Sequence, residues 1–106
     1  KNHQSKVLED LIFDDDNIIS IDLDKIQFPL TLRKWQKGDY FYPIGLKGKK
    51  KVSKYFKDQK LSLLEKENTW LLYSKNDIIW VIGKRLDDRF KVTKTTSKIL
   101  KIKLDL

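Results

Sequence analysis

Ten basic side chains stand between Arg33 and Lys60: Arg33, Lys34, Lys37, Lys47, Lys49, Lys50, Lys51, Lys54, Lys57 and Lys60. Only two carboxylates, Asp39 and Asp58, share that stretch. Cationic groups at this density suit the holding of a polyanion, with a merely solvated basic face as the other reading. Gly45 and Gly48 frame the centre of the run and let the backbone come close to a ligand or take positive φ. From Lys49 to Lys60 the pattern turns helical, with Val52, Tyr55, Phe56 and Gln59 on one side and Lys50, Lys54 and Lys57 on the other. A helix starting at Lys49 or Lys50 would offer free N–H groups and its positive dipole end to a phosphate. The lysines around that end are unfavourable for the helix alone, so a bound anion would relieve them. Lysine favours backbone contact over base reading, because bidentate recognition belongs mainly to Arg. The expected mode is recognition of shape and phosphate, usual for double-helical RNA.

Other chemistry finds no support. His3 is the single histidine and there is no cysteine, so neither a zinc constellation nor a Ser-His-Asp or Cys-His arrangement can be built. Glycine-rich phosphate fingerprints do not occur. Asp14, Asp15 and Asp16 lack the spacing of a calcium loop and read as a polar turn, as do Asp87 and Asp88 beside Arg85 and Arg89. The expected catalytic and metal sets are therefore empty.

Charge is distributed unevenly along the 106 residues, whose formal total is +8. Residues 1–32 carry three basic against seven acidic groups, residues 33–60 ten against two, and residues 61–106 ten against six. A lysine-rich codon bias explains why Arg33, Arg85 and Arg89 are the only arginines, but not why acidic residues avoid the middle. Apolar residues make up 40% and aromatics 11%, which excludes a disordered chain. No apolar run reaches the roughly 20 residues of a membrane span, so no membrane partner is expected. The chain has no Met and starts at Lys1, which leads us to expect a piece of a longer, cytoplasmic protein.

The elements that must position the basic run are short. Residues 1–17 read as a lead-in segment, with Val7, Leu8, Leu11 and Ile12 at helical spacing, and residues 18–106 as the domain proper. Alternation predicts a half-buried strand through Ile19, Ile21 and Leu23, and a second through Phe28, Leu30 and Leu32 with Pro29 marking an edge. Lys37-Gly38-Asp39 is a turn, and Tyr40 to Pro43 a short aromatic segment. Thr69–Ser74 and Ile78–Gly83 form a hairpin around Lys75-Asn76-Asp77. Its strands are apolar on both faces (Trp70 and Leu72 against Leu71 and Tyr73; Ile78 and Trp80 against Ile79 and Val81), which places them centrally. Leu100, Ile102 and Leu104 alternate in a closing strand. The predicted fold class is a small α+β domain, a mostly antiparallel β-sheet sandwich with one or two short helices. Trp70, Trp80, Phe56 and Tyr55 belong to its core, whereas Trp35, Tyr40 and Tyr42 are open to either packing or base stacking.

Taken together, Arg33-Lys34-Trp35-Gln36-Lys37-Gly38-Asp39, Pro43-Ile44-Gly45, Gly48-Lys49-Lys50-Lys51-Val52-Ser53 and Ile79-Trp80-Val81-Ile82-Gly83-Lys84-Arg85 resemble the C-terminal domain of tRNA(Ile)-lysidine synthetase, over residues 28–95. Relatives often carry Pro near Leu63 and Arg near Lys66. The resemblance implies a small fold shared with a domain of the phenylalanyl-tRNA synthetase β chain. It implies a parent ligase that uses ATP with Mg2+ to attach lysine to the wobble cytidine of the isoleucine tRNA with a CAU anticodon. That chemistry would lie in an N-terminal domain outside this chain, with no cofactor in this domain. The C-terminal domain would hold the tRNA, particularly its acceptor-stem region. Arg33, Lys34, Lys37, Lys49, Lys50 and Lys54 fall at matching positions, with Arg85 and Arg89 as a second rim and Lys47, Lys51 and Lys57 added by the charge pattern. Arg33 equally suits bracing the turn through Asp39, and Arg85 and Arg89 equally suit pairing with Asp87 and Asp88. Two other readings stay open. Ile44-Gly45-Leu46-Lys47-Gly48 resembles the clamp of a KH-type RNA module, and the two-sided hairpin would serve a protein-docking module or a homodimer.

Overall fold

Strands that are apolar on both faces need cover on both, and the chain supplies it from two different partners. The computed structural model describes residues 17–103. In chain order the elements are β1 (Ile18–Asp22), a 3-10 turn (Leu23–Lys25), β2 (Leu30–Lys34), β3 (Tyr40–Phe41), β4 (Lys50–Lys51), α1 (Val52–Asp58) and α2 (Leu63–Glu67). There follow β5 (Trp70–Ser74), β6 (Asp77–Val81), β7 (Arg85–Leu86), a second 3-10 turn (Asp88–Phe90) and β8 (Ile99–Lys103). A four-stranded sheet runs in the order β2-β5-β6-β7, flanked by two-stranded ribbons β1-β8 and β3-β4. All pairings are antiparallel. The α+β class, the antiparallel sheet and the central hairpin are as the alternation predicts.

One face of the hairpin packs Leu71, Tyr73, Ile78 and Val81 against Phe41 of β3 and Val52, Tyr55 and Phe56 of α1. The other packs Leu72, Ile79 and Trp80 against Ile21, Ile82 and Phe90, with Ile19, Leu100 and Ile102 of the β1-β8 ribbon closing over them. Each of these buried large side chains contributes about 1.5–3 kcal/mol relative to exposure. Both faces are thus covered by other parts of the chain. A bulge also corrects the expected facing in β6: Leu72 lies opposite Trp80 and Tyr73 opposite Ile78, leaving Ile79 as the extra residue. Ile79 and Trp80 therefore turn to the same core while Ile78 turns to the other.

Strand limits differ from those expected. β1 ends at Asp22, and its polar residues Ser20 and Asp22 are buried. The Asp22 carboxylate accepts from the Asp24 N–H and the Thr96 hydroxyl, both at 3.0 Å. β2 is an edge strand but begins at Leu30, after a cis Phe28–Pro29 peptide, and leaves Phe28 61% exposed. The patterns of residues 1–13, Asp14 to Asp16, His3 and Leu104 lie outside the described residues.

The helix expected from Lys49 starts at Val52 instead, because Lys50 and Lys51 are extended in β4 opposite Phe41 and Tyr40. Its end is a Schellman motif. Leu61 N–H reaches the Phe56 carbonyl at 3.1 Å and Lys60 N–H the Lys57 carbonyl at 3.0 Å, with Lys60 at φ +58°. α2 was not anticipated, although Ser62-Leu63-Leu64-Glu65 carries capping-box spacing. Ser62 Oγ accepts from Glu65 N–H at 3.1 Å, and the Glu65 carboxylate accepts from Ser62 N–H at 2.7 Å.

Lys60 holds a left-handed conformation that costs a side chain about 1 kcal/mol and glycine little. Lys60→Gly is expected to raise the urea midpoint by an amount worth about 0.5–1 kcal/mol with an unchanged m-value. A lowered midpoint would contradict the assigned helix end.

Candidate nucleic-acid interface

The basic run is organised around Asp39. Arg33 donates to both its carboxylate oxygens at 3.1 Å, the Tyr73 hydroxyl donates at 2.9 Å and the Gln36 N–H at 2.8 Å. Arg33 also lies 4.0 Å from the Tyr73 ring centroid. Burial alone would raise the Asp39 carboxyl, but the Arg33 guanidinium, the Gln36 N–H and the Tyr73 hydroxyl together hold it below the ordinary range. Burial and the same carboxylate push the Tyr73 phenol up, so it stays a donor. The Asp39 carbonyl accepts the Val52 N–H at 2.9 Å and so fixes the start of α1. That N–H is thereby unavailable to a phosphate, and Lys51 at the helix cap makes no side-chain cap bond. The first N–H of this seven-residue helix is thus engaged within the fold.

A second carboxylate fixes the other end of β3. Asp87 is fully buried and accepts the Tyr42 N–H at 2.9 Å and the Arg89 N–H at 2.8 Å. Arg89 donates to it through Nε and Nη2, both at 3.0 Å, and lies 4.3 Å from the Tyr42 ring centroid. Burial works against the charge on Arg89, yet the Asp87 carboxylate raises its pKa further. Beyond Tyr42, Ile44 N–H reaches the Leu86 carbonyl at 2.9 Å and Arg85 Nη1 the Ile44 carbonyl at 3.0 Å. Leu46 N–H then closes a turn on Pro43 at 3.1 Å, with Gly45 at φ +83° and Gly48 following at φ +76°. Both glycines therefore supply the positive φ foreseen for them. A KH-type clamp would need a helix entering at Gly45, and Ile44 and Gly45 form a turn.

The chain from Pro43 to Lys51 is thus the tip of the β3-β4 hairpin. Beside it lies an open cleft of about 570 Å3 lined by Leu46, Lys47, Gly48, Lys49, Lys50, Lys51 and Lys54. Five of its seven lining residues are lysines. Lys50 and Lys54 both reach Asp58, Lys54 at 3.4 Å, and the Lys50 ammonium holds the Asp58 carboxyl below its ordinary range. Lys49 rests 4.6 Å from the Tyr40 ring centroid. Lys47 and Lys51 are exposed and have no ion pair among the described residues.

Three comparisons bear on this arrangement. Residues 30–104 match the family model for the TilS substrate C-terminal domain. The chain belongs to this family. It is 53% identical over 83 residues to a tRNA(Ile)-lysidine synthase of Parabacteroides distasonis, covering 78% of this chain and 19% of that protein. The corresponding protein of Bacteroides thetaiotaomicron is 43% identical over 83 residues, covering 78% of this chain and 20% of its own length. The chain thus spans about a fifth of the curated relatives it matches. A crystal structure of a TilS C-terminal domain superposes with a TM-score of 0.66 at 19% identity, covering 86% of this chain and 73% of that one, and it confirms the fold.

Within this TilS domain the basic residues singled out by sequence divide into groups. Lys47, Lys49, Lys50, Lys51 and Lys54 line the cleft. Lys37 and Lys57 are exposed outside its wall, on the Lys37-Gly38 turn and on α1. Lys34 turns away to the Glu67 carbonyl and the Trp70 ring. Arg33 braces the turn through Asp39, and Arg89 pairs with Asp87 and Asp77. Arg85 pairs with neither Asp87 nor Asp88, since it serves the Ile44 carbonyl, and Asp88 takes Lys91. Among the aromatics Trp35 packs edge-on against Phe56 at 5.5 Å, which decides for packing there. Leu46 in the cleft wall was missed; a leucine between two turn glycines, without an alternating neighbour, was the available signal.

Because the Asp39 carboxyl sits below its unfolded value, its contribution is complete above that value and fades as pH falls through the folded one. Urea unfolding of the chain from pH 7 down to 2.5 should show stability lost below about pH 4. Asp39→Asn should cost about 2–3 kcal/mol at pH 7 and flatten that acid limb. An unchanged limb in the variant would remove Asp39 from this role.

Proposed function

We propose that this chain is the tRNA-binding part of a tRNA(Ile)-lysidine synthase, with the lysine-lined cleft gripping the sugar–phosphate backbone of the tRNA. The RNA held is the isoleucine tRNA with the CAU anticodon, engaged near its acceptor stem. Lysine attachment at the wobble cytidine, driven by ATP with Mg2+ in the cytoplasm, belongs to the rest of the enzyme and needs no cofactor in this domain.

The observation that carries the reading is the cleft wall. Five lysines line one open surface formed by the β3-β4 hairpin and the start of α1, with Lys50 and Lys54 paired to Asp58 and with Lys47 and Lys51 in no ion pair among the described residues, and the hairpin's base is fixed by Asp39 and Asp87. Lysine ammonium groups act as mobile point charges, fitting phosphates rather than base edges. Arg33 and Arg89, the side chains best suited to bidentate base reading, are already committed to carboxylates within the fold. Family membership, and the name tRNA(Ile)-lysidine synthase carried by the similar proteins, support this choice of RNA and modification.

If about four phosphates are neutralised, the logarithm of affinity should fall with log salt at a slope of about −3 to −4, roughly 100-fold between 50 and 200 mM. Fluorescence titration of the chain with tRNA across salt measures it. Lys47→Glu combined with Lys51→Glu should weaken binding by a few kcal/mol and reduce the slope, with unchanged thermal unfolding because both residues are exposed. A flat salt response, or full affinity in the double variant, would overturn the assignment.

A further inference from the structure

We propose that Tyr40 is a stacking platform for an unpaired base of the bound RNA, with Lys49 and Lys51 taking the phosphates on either side. The inference rests on the phosphate reading of the cleft and names which part of the RNA lies there. Strand alternation forces the ring outward: Phe41 is wholly buried in the core, so Tyr40 must face solvent, and it is 45% exposed. Opposite it in the ribbon stands Lys51, and the Lys49 ammonium lies 4.6 Å from its ring centroid. The Tyr42 ring meets it edge-on at 6.3 Å and 77°.

The neighbouring rings are all accounted for by the fold. Trp35 packs on Phe56, Tyr55 and Phe41 are buried against each other, Tyr42 lies under Arg89 and Tyr73 under Arg33. Tyr40, with the Lys49 ammonium over its ring, is the most exposed of them and projects from the two-residue strand into solvent, where it forfeits the burial an aromatic side chain ordinarily gains. A base on this ring would bring its own phosphates within reach of Lys49 and Lys51, which suits a nucleotide better than an isolated anion. Bases inside a duplex hide their faces in the stack, so the platform calls for a single-stranded segment or a helix end.

The test uses the chain with two RNAs sharing one duplex, one blunt and one with a short 3′ single strand containing 2-aminopurine. The unaltered chain should prefer the RNA with the single strand and quench its 2-aminopurine. Tyr40→Leu should weaken that binding by about 5- to 100-fold, down to the blunt level, and abolish the quenching, whereas Tyr40→Phe should keep both. Blunt-duplex affinity should be the same in all three proteins. Equal loss on both RNAs would make Tyr40 a support for the hairpin and overturn the platform. Unaltered binding in Tyr40→Leu, or equal affinity for both RNAs in the original chain, would overturn it while leaving the phosphate reading intact. Failure of the original chain to bind either RNA would overturn both.

Discussion

The start of α1, and with it the placement of Lys51 and Lys54, depends on one partly buried aspartate. Asp39 receives Arg33, Tyr73 and the Gln36 N–H through its side chain, and through its carbonyl it receives the first N–H of α1. A single residue thereby joins the edge strand β2, the central strand β5, the turn before β3 and the helix after β4. Loss of any one partner would leave a charge or donor unsatisfied in a half-buried setting, at more cost than the intact bond contributes. Asp87 repeats the arrangement at the far end of β3, gripping Tyr42 and Arg89. Between the two carboxylates the chain has little freedom; beyond them, from Gly45 to Lys49, it is a loop.

This division explains how the domain tolerates its charge. Like charges crowded on one face destabilise a compact state, and the planar guanidinium fork pairs well with carboxylates. The two best-buried guanidinium partners are used internally, Arg33 with Asp39 and Arg89 with Asp87. Arg85 is held by the Ile44 carbonyl, and the cations left are lysines, whose long stems can keep the ammonium in water. Asp58 tempers two of them, Lys50 and Lys54, from the far end of α1. The surface charge is therefore available to a ligand without being part of what holds the fold together.

Much of the architecture was legible because it rests on burial. Leu71 and Tyr73 against Trp70 and Leu72 predict a strand covered on both faces, and both cores are found where that requires them. What could not be read were features set by long-range backbone bonds. Lys50 fits a helical period with Lys54 and Lys57, but the pairing of Tyr40 with Lys51 and Phe41 with Lys50 makes Lys50 and Lys51 a strand, and a two-residue strand leaves no periodic trace. The bulge at Ile79 is likewise invisible, since every residue around it is apolar. Arg33 and Asp39 were read as ambiguous between brace and RNA contact, because sequence spacing alone does not say whether a turn closes. The capping box at Ser62 and Glu65 was legible and was passed over, since its helix buries none of its own residues.

The shift of the basic cluster from a helix tip to a hairpin tip changes what kind of binding it can offer. A helix N-terminus presents fixed N–H dipoles to one phosphate and is selective for a small anion at one point. A hairpin tip framed by Gly45 and Gly48 presents side chains on several sides of an open cleft, with the nearest helix N–H already taken by Asp39. Such a surface can follow a run of phosphates, and its lysines can adjust to their spacing at the cost of side-chain ordering. Under the proposed reading, rigidity at the hairpin's base would fix the orientation in which a nucleic-acid backbone is met, while contacts at its tip would tolerate sequence. Specificity would then come from the overall shape of the nucleic acid rather than from a pattern of base edges.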